Sequence, residues 1–261
     1  MIRTPILTLV LAALALAAPA HAATVCRATN DALTRPLVEL YTSEGCDSCP
    51  PADRWFSSQF AAADTGQHAV ALAFHVDYWD RLGWVDRFAN ASYTERQYQA
   101  MRANGASFVY TPQVLVQGHT LPDLGSAAAA IDAASRDPAR ATITLDATPG
   151  AHDIAVHADA RVHDASRVRD AQLFVAYTDS GLVSEVKGGE NRGVRLTHDR
   201  VVRALRLIGA PAGDGHWQAS ITLPKPAEAG QHPMLVAFVQ RASSGDILQS
   251  LALPLDGCAS H

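Results

Sequence analysis

The sequence lacks the features of a nucleic-acid-binding, membrane-spanning or repeat protein. Its 261 residues carry a formal net charge of −5 and contain no cluster of lysine and arginine, so charge does not favour nucleic acid or an anionic membrane as a partner. No internal repeat is present, and no later apolar run has the roughly 20 residues that a membrane span needs. A hydrophobic content of 48% indicates a globular chain of one large domain or two ordinary ones.

The first 22 residues have the pattern of a secretory signal peptide. Arg3 precedes an apolar stretch over residues 6–18, and Ala20-His21-Ala22 supplies small residues at a cleavage point. We predict cleavage after Ala22 and a soluble, periplasmic or secreted mature protein without a membrane span. A membrane anchor is the alternative, but the apolar stretch is short for one.

Cysteine is scarce, and its four positions are uneven. In an oxidising compartment an even number of cysteines suggests disulfides, and four cysteines allow three pairings. Cys46 and Cys49 are separated by two residues and favour a bridge with each other, which leaves Cys26 and Cys258 to form a structural disulfide between the chain ends. The alternative is that Cys26 or Cys258 is free in a frayed tail.

Strand-like and helix-like segments alternate up to about residue 140. Apolar runs at 36–40, 68–79 and 114–117 predict strands, each followed by a predicted helix, which is typical of an α/β layered domain. Later segments are short and rich in Val, Ile, Leu and Thr, and they predict an antiparallel β-sandwich. We therefore predict domains at 23–140 and 141–261, with VVRALRLI in the second as either a strand or a short helix.

The stretch VELYTSEGCDSCPPAD places a CxxC pair between a predicted strand and a predicted helix. The two prolines after it fit a first helical turn, and a helix N-terminus carries partial positive charge and free N–H groups. Both features stabilise a thiolate, so we predict Cys46 as the catalytic nucleophile and Cys49 as the resolving partner. The neighbouring Glu44 and Asp47 act in the opposite direction, because negative charge disfavours a thiolate.

Metal binding and an inert structural disulfide are the alternatives for this pair. A zinc site needs more ligands at suitable spacing, and the other cysteines lie at the chain ends. Two thiolates would suit Cu(I), which prefers soft sulfur, and an interaction module would keep the pair only as a disulfide. The leading prediction is an exported thiol–disulfide oxidoreductase. It would use neither cofactor nor metal, and it would act on exported protein thiols or disulfides with an unknown redox partner.

A Thr-Pro dipeptide precedes the third predicted strand. A strand–CxxC–helix unit followed by Thr111-Pro112 and a strand resembles the thioredoxin superfamily. The resemblance implies that Pro112 follows a cis peptide bond against the CxxC pair and that the backbone of Thr111 contacts substrate. An ordinary trans proline at a strand start is the alternative.

The stretch HVDYWDRLGWVDRF follows the second predicted strand and is expected at the same sheet end as the cysteines. Tyr78 and Trp79 are candidates for apolar contact with substrate, and His75 and Asp77 are candidates for a proton relay to Cys49. The alternative is that the aromatic rings close a loop against the core and the polar groups cap turns.

The stretch GENRGVRLTHDRVVR contains a mixed set of polar side chains in the second predicted domain, including Glu190, Asn191 and His198. A functional role is one interpretation. We favour a hydrogen-bonded turn with a cross-strand pair. A sandwich beside a redox domain would bind a partner protein or hold a substrate, and the sequence does not choose between these roles.

Four segments resemble a family of bacterial exported proteins described as domain of unknown function 1223. They are ELYTSEGCDSCPPAD, HVDYWDRLGWVDRF, YTPQVLVQG and SEVKGGENRGVRLTHDRVVR, and together they span residues 39–203. The resemblance implies a thioredoxin-like fold and leaves the activity open. We therefore expect an α/β thioredoxin-like domain followed by an all-β, immunoglobulin-like sandwich. The chain departs from ordinary thioredoxins because no Trp precedes Cys46 and Asp-Ser separates the cysteines.

Overall fold

A computed structural model describes residues 25–60, 66, 68–256 and 258, so the predicted signal peptide lies outside the described residues. The helices are α1 (Cys49–Gln59), α2 (Ala91–Ala103) and α3 (Ala127–Ala134), with 3₁₀ turns at Asp80–Leu82, Leu124–Ser126 and Ala165–Asp170. The strands are β1 (Cys26–Thr29), β2 (Leu37–Thr42), β3 (Val70–His75), β4 (Gln113–Val116), β5 (His119–Thr120), β6 (Ala141–Pro149), β7 (Asp153–Val162), β8 (Ala171–Ser180), β9 (Leu182–Glu185), β10 (Arg195–His198), β11 (Val201–Gly209), β12 (His216–Pro224), β13 (Gln231–Arg241) and β14 (Ile247–Pro254).

One mixed sheet of eight strands contains residues from both halves of the chain, in the order β14-β13-β8-β11-β3-β2-β4-β5. β2 and β3 pair in parallel, and β4 runs antiparallel to β2. β3 and β11 meet in parallel where Ala73 faces Val201. Every residue of β2 and β3 is buried, which is expected of strands covered on both faces.

The fold class predicted from the sequence, an α/β thioredoxin-like domain followed by an all-β sandwich, is wrong. Strand accounts for 43% and helix for 19% of the structure. The predicted α/β strands share the large sheet with β8, β11, β13 and β14, and Leu37, Phe74 and Tyr93 share one core cluster with Phe174 and Phe238. Hydrophobic periodicity identifies strands, but pairing between distant segments decides which sheet they join. The division of the chain near residue 140 stays a prediction.

A second, antiparallel sheet with the order β1-β6-β7-β12 packs on β8, β13 and β14. Exposed and buried residues alternate along β7, so one face of this sheet points inward. Ile143 and Val156 from this face share a core cluster with Leu173, Leu235 and Leu251. VVRALRLI, for which the sequence left two options, lies in strand β11.

Helix α1 packs against the part of the large sheet that leads into the CxxC pair. Its buried residues Ala52 and Phe56 lie in a core cluster with Leu40, Ala73 and Val114 from β2, β3 and β4. The start of α1 therefore stands at the end of β2. Within the described part of the chain, no helix has the length and apolar character required to cross a membrane.

Candidate functional site

The CxxC pair is formed by the turn between β2 and α1. The amide of Cys46 donates to the carbonyl of Ser43, and the amide of Cys49 donates to the carbonyl of Cys46, each at 3.2 Å. The Ser43 hydroxyl accepts from the Gly45 amide at 3.1 Å. Two prolines occupy the first turn of α1, where their missing N–H groups leave no intrahelical bond unmade. Cys49 is thus the first residue of the helix, and Cys46 lies just before it.

All four cysteines form disulfides. Cys46 is joined to Cys49 with a Cα–Cα distance of 5.4 Å, and Cys26 is joined to Cys258 with a Cα–Cα distance of 5.7 Å, the pairing that the spacing favours. Cys46 and Cys49 are both 0% exposed. A partner thiol can therefore reach this disulfide only if the groups that cover it move.

Thr111 lies directly against Cys46. Its carbonyl oxygen is 3.8 Å from Cys46 Sγ, and the peptide bond to Pro112 is cis. The indole N–H of Trp79 donates to Thr111 Oγ1 at 2.8 Å, and the rings of Trp79 and the half-buried Tyr78 lie 6.4 Å apart. The structure thus brings together Cys46, Thr111, Pro112 and Trp79, with Tyr78 beside them.

Asp53 is a buried acid one helical turn beyond Cys49 on the same face of α1. Its side chain accepts from Thr42 Oγ1 at 2.8 Å, while Oδ2 has no hydrogen-bond partner among the described residues. Burial raises the pKa of Asp53, although His75 and His198 partly oppose the shift. Sequence reasoning missed this residue.

A sequence signal for Asp53 was available. Cys49, Asp53, Phe56 and Phe60 recur at intervals of four, three and four residues, which is the spacing of one buried helix face, and all four are buried. A charged residue on such a face is uncommon unless it is paired or functional. The position of Asp53 on the apolar face of the helix, and not a sequence motif, is therefore the signal that identifies it.

Two histidine–carboxylate contacts surround Asp53. His75 Nδ1 lies 2.6 Å from Asp86 Oδ2, and His198 Nε2 lies 3.4 Å from Glu44 Oε1, with all four side chains almost completely buried. The two imidazole centroids are 4.8 Å apart. Asp53, His75 and His198 line a cavity of about 10 Å³, which is space for about one water molecule.

The charges in this cluster are set by opposing effects. Burial alone lowers the pKa of His75, but Asp86 outweighs it and the pKa is raised. Burial alone raises the pKa of Asp86, but the charge of His75 and its hydrogen bond lower it overall. Burial alone raises the pKa of Glu44, but the contact with His198 and the hydrogen bond from the Trp84 indole lower it overall. Asp53 is thus the acid of the cluster that is held towards its protonated form.

The loop of residues 186–194, between β9 and β10, covers the CxxC turn, and we call it the 186–194 loop. The side-chain amide of Asn191 donates to the carbonyls of Glu44 and Cys46 at 2.9 and 2.8 Å. Glu190 Oε2 accepts from the Asp47 amide at 3.3 Å. The sequence predicted a hydrogen-bonded turn in this stretch but gave no reason to place it at the cysteines.

Asp77 makes its contacts away from the buried cluster. Its carboxylate accepts from Thr94 Oγ1 at 2.6 Å, near the start of α2. Its role as a proton relay stays a prediction. Trp84, from the same stretch of sequence, donates its indole N–H to Glu44 Oε2 at 2.7 Å and so belongs to the walls of the cluster.

The fold and this site define a β-rich protein with a CxxC disulfide at a helix N-terminus above a set of buried ionisable groups. The chain belongs to the family described as protein of unknown function DUF1223, whose model matches residues 37–240. The matched range includes the CxxC pair, Thr111-Pro112 and the 186–194 loop. The family description gives no activity.

Two solved structures are similar to the chain. A crystal structure of a protein from Agrobacterium tumefaciens is 26% identical, with a TM-score of 0.59 over 86% of this chain and 96% of that one. HBP35 of Porphyromonas gingivalis is 14% identical, with a TM-score of 0.60 over 85% of this chain and 75% of that one, which shows a likeness of fold alone. The search of curated proteins found no match.

Proposed function

We propose that the protein is an exported thiol–disulfide oxidoreductase that acts through Cys46 and Cys49 on thiols or disulfides of other exported proteins. The proposal is carried by the position of Asp53, a buried acid on the same face of α1 as Cys49, whose pKa is raised by burial. A disulfide that only ties a turn needs no proton donor beneath it. Exchange needs one, because the resolving cysteine must gain and lose a proton.

The chemistry follows from this placement. A partner thiolate attacks Cys46 Sγ, the Cys46–Cys49 bond breaks, and Cys49 leaves as a thiolate that takes the proton of Asp53. In the reverse direction, the Asp53 carboxylate removes the Cys49 proton, and the Cys49 thiolate attacks the mixed disulfide at Cys46 and releases the partner thiolate. The partial positive charge at the N-terminus of α1 favours either thiolate.

Neighbouring residues are assigned supporting roles. Thr111, Pro112, Tyr78 and Trp79 would contact the partner, and the support is the 3.8 Å approach of the Thr111 carbonyl to Cys46 Sγ. His75 shares the small cavity with Asp53 and would exchange protons with it. The hydrogen bonding of Asp77 with Thr94 makes it the weaker candidate for this relay.

Export is part of the proposal. Two disulfides are compatible with an oxidising compartment, where such bonds form and persist. The predicted signal sequence ending at Ala22 supports the same conclusion from the sequence. The partner would then be an exported protein, together with an unidentified protein that recycles the cysteine pair.

A structural disulfide is the second candidate, and a specific observation favours it. Cys46 and Cys49 are 0% exposed, so the pair is protected as it stands. Cu(I) binding by the reduced thiolates is a weaker rival. Among the residues that the structure describes, no group of three or more His, Cys, Asp or Glu side chains could hold a metal ion.

The test is the reduction potential of the Cys46–Cys49 pair. Mature protein is equilibrated in graded thiol buffers and alkylated, and mass spectrometry reads each cysteine pair separately. We expect half-reduction between about −120 and −270 mV, the range of known exchange proteins. A pair that stays oxidised below about −300 mV is structural and overturns the proposal. A stoichiometric Cu(I) complex of the reduced protein, without exchange activity, would favour the metal alternative.

A further inference from the structure

We propose that the 186–194 loop is a gate over the Cys46–Cys49 disulfide and that Asn191 is the positioning residue that holds this gate closed. The inference rests on the proposed function, since a gate matters only if a partner thiol has to reach Cys46. The 186–194 loop, which lies more than a hundred residues after the cysteines in sequence, would thus control the access of a partner.

The first support is the double hydrogen bond of Asn191. Its side chain is 5% exposed, and its amide nitrogen donates to the carbonyls of Glu44 and Cys46 at 2.9 and 2.8 Å. An amide side chain offers two N–H donors, and both are used on the CxxC turn. One side chain from the loop therefore fixes the turn that contains the sulfur to be attacked.

The second support is the close fit of the loop on its seat. A Cβ atom on Gly188 would lie 2.3 Å from the carbonyl oxygen of Gly83, so backbone packs directly on backbone. A Cβ atom on Gly189 would lie 3.2 Å from Cβ of Trp84, whose indole N–H in turn holds Glu44. No side chain separates the loop from this seat, so a single added methyl group would push the two apart.

The third support is that the loop connects two strands that lie outside the large sheet. Within the described part of the chain, β9 and β10 pair only with each other, in a two-stranded sheet outside the large one. Gly181 enters this hairpin and Arg200 leaves it, with φ angles of +64° and +54°. Arg200 is 2% exposed and its amide donates to Ser180 Oγ at 3.0 Å, so the ends of the hairpin are held in place and movement is confined to the 186–194 loop.

Both sulfurs are completely buried while the loop is closed. Exchange requires a thiolate to approach Cys46 Sγ, yet neither cysteine has exposed surface. Helix α1 and strand β4 contribute residues to a core cluster, whereas the 186–194 loop is held by the hydrogen bonds of Glu190 and Asn191 and by its packing on Gly83 and Trp84. We therefore expect the loop, and not α1 or β4, to move when a partner thiol approaches.

The experiment measures how fast glutathione reduces the Cys46–Cys49 disulfide in the folded mature protein. Aliquots are quenched by alkylation and analysed by mass spectrometry, with the Cys26–Cys258 disulfide as an internal reference. The variants are Asn191→Ala and Asn191→Asp, since a carboxylate keeps the size but cannot donate to the two carbonyls. Arg192→Ala, at an exposed neighbouring position, is the matched control.

We expect both Asn191 variants to be reduced about ten- to thirtyfold faster than the wild type, because two hydrogen bonds hold the closed state. The control should be reduced at the wild-type rate. Gly188→Ala should also accelerate reduction, because the added methyl group would collide with the Gly83 carbonyl. Near-ultraviolet circular dichroism checks the folding of every variant. If the Asn191 variants do not fold, Gly188→Ala tests the gate in their place. Wild-type rates in all folded variants would overturn the gate.

The same samples separate this inference from the proposed function. If the variants are reduced faster and all of them exchange disulfides with a thiol substrate, both proposals are supported. If they are reduced faster but no form of the protein exchanges with a substrate, the gate is retained and the oxidoreductase proposal fails. If exchange occurs and the rates do not differ, the gate fails and the oxidoreductase proposal is retained.

Discussion

The two disulfides of this chain have similar Cα separations, 5.4 and 5.7 Å, but opposite surroundings. Cys26–Cys258 joins residues 232 positions apart and lies in a core cluster with aliphatic side chains such as Leu145 and Leu255. Cys46–Cys49 joins residues three positions apart and lies near the buried carboxyl groups of Glu44 and Asp53 and the imidazole of His198. The first environment suits a bond that stays closed, and the second holds the ionisable groups that the proposed exchange would use.

Chain entropy gives the same contrast. By the loop-closure model, a bridge across 232 residues contributes up to about 5 kcal/mol to stability, and a bridge across a single helical turn contributes about 2 kcal/mol. The Cys46–Cys49 disulfide therefore contributes less to stability, although more ionisable side chains surround it. Its buried neighbours are expensive to maintain without a function, because buried ionisable groups rarely add net stability.

The largest expected effect comes from deleting each disulfide in turn. Cys26→Ala with Cys258→Ala should lower the free energy of unfolding by up to about 5 kcal/mol, and Cys46→Ala with Cys49→Ala by about 2 kcal/mol. Urea unfolding of the oxidised mature proteins measures both values. If both double variants lost the same free energy of unfolding, the two disulfides would not differ in stability, and the CxxC bridge would be a structural one.

The second effect concerns proton transfer beneath the CxxC pair. Asp53→Asn keeps the shape and the acceptor for Thr42 but cannot carry a proton to or from Cys49, so exchange should slow about 100-fold at neutral pH. Stopped-flow assays with a disulfide substrate measure this rate. Asp77→Asn is the rival variant, and a larger loss there would move the relay from Asp53 to Asp77.

The sequence predicted the local parts of this site. Apolar runs locate β2, β3 and β4, and two prolines after Cys49 indicate where α1 begins. The fold class could not be recovered, because the pairing of Ala73 with Val201 merges distant segments into one sheet without any local signal. Asn191 was placed in a turn, but its contact with the Cys46 carbonyl depends on that same long-range arrangement.

A third prediction is a pH dependence of stability that arises from Asp53 beside the CxxC pair. Burial raises the pKa of Asp53 above its ordinary value of 3.8. The stability that this group contributes is fully present below pH 3.8 and is lost as the pH rises through the folded-state pKa. Asp53→Asn cannot ionise, so its free energy of unfolding relative to wild type should increase across that window.

Urea unfolding of wild type and Asp53→Asn between pH 3 and pH 8 measures this difference. The lowered pKa values of Asp86 and Glu44 give contributions to stability that increase with pH. Both residues are present in wild type and variant, so these contributions largely cancel in the difference. A difference that is constant with pH would mean that Asp53 ionises as easily in the folded chain as in the unfolded one. The proton donor would then have to be sought elsewhere in the cluster.

The smallest expected effect is at Glu190, whose carboxylate accepts from the Asp47 amide next to Cys46. Glu190→Gln keeps the acceptor and removes a negative charge near the start of α1, so reduced Cys46 should be alkylated about two- to fivefold faster at low salt. Because Glu190 is exposed, the gain should shrink as ionic strength rises. Glu185→Gln, at an exposed residue paired with Arg195, is the matched control. A gain that persists in high salt would mean that the substitution loosens the 186–194 loop, so that access to Cys46 and not thiolate charge sets the rate.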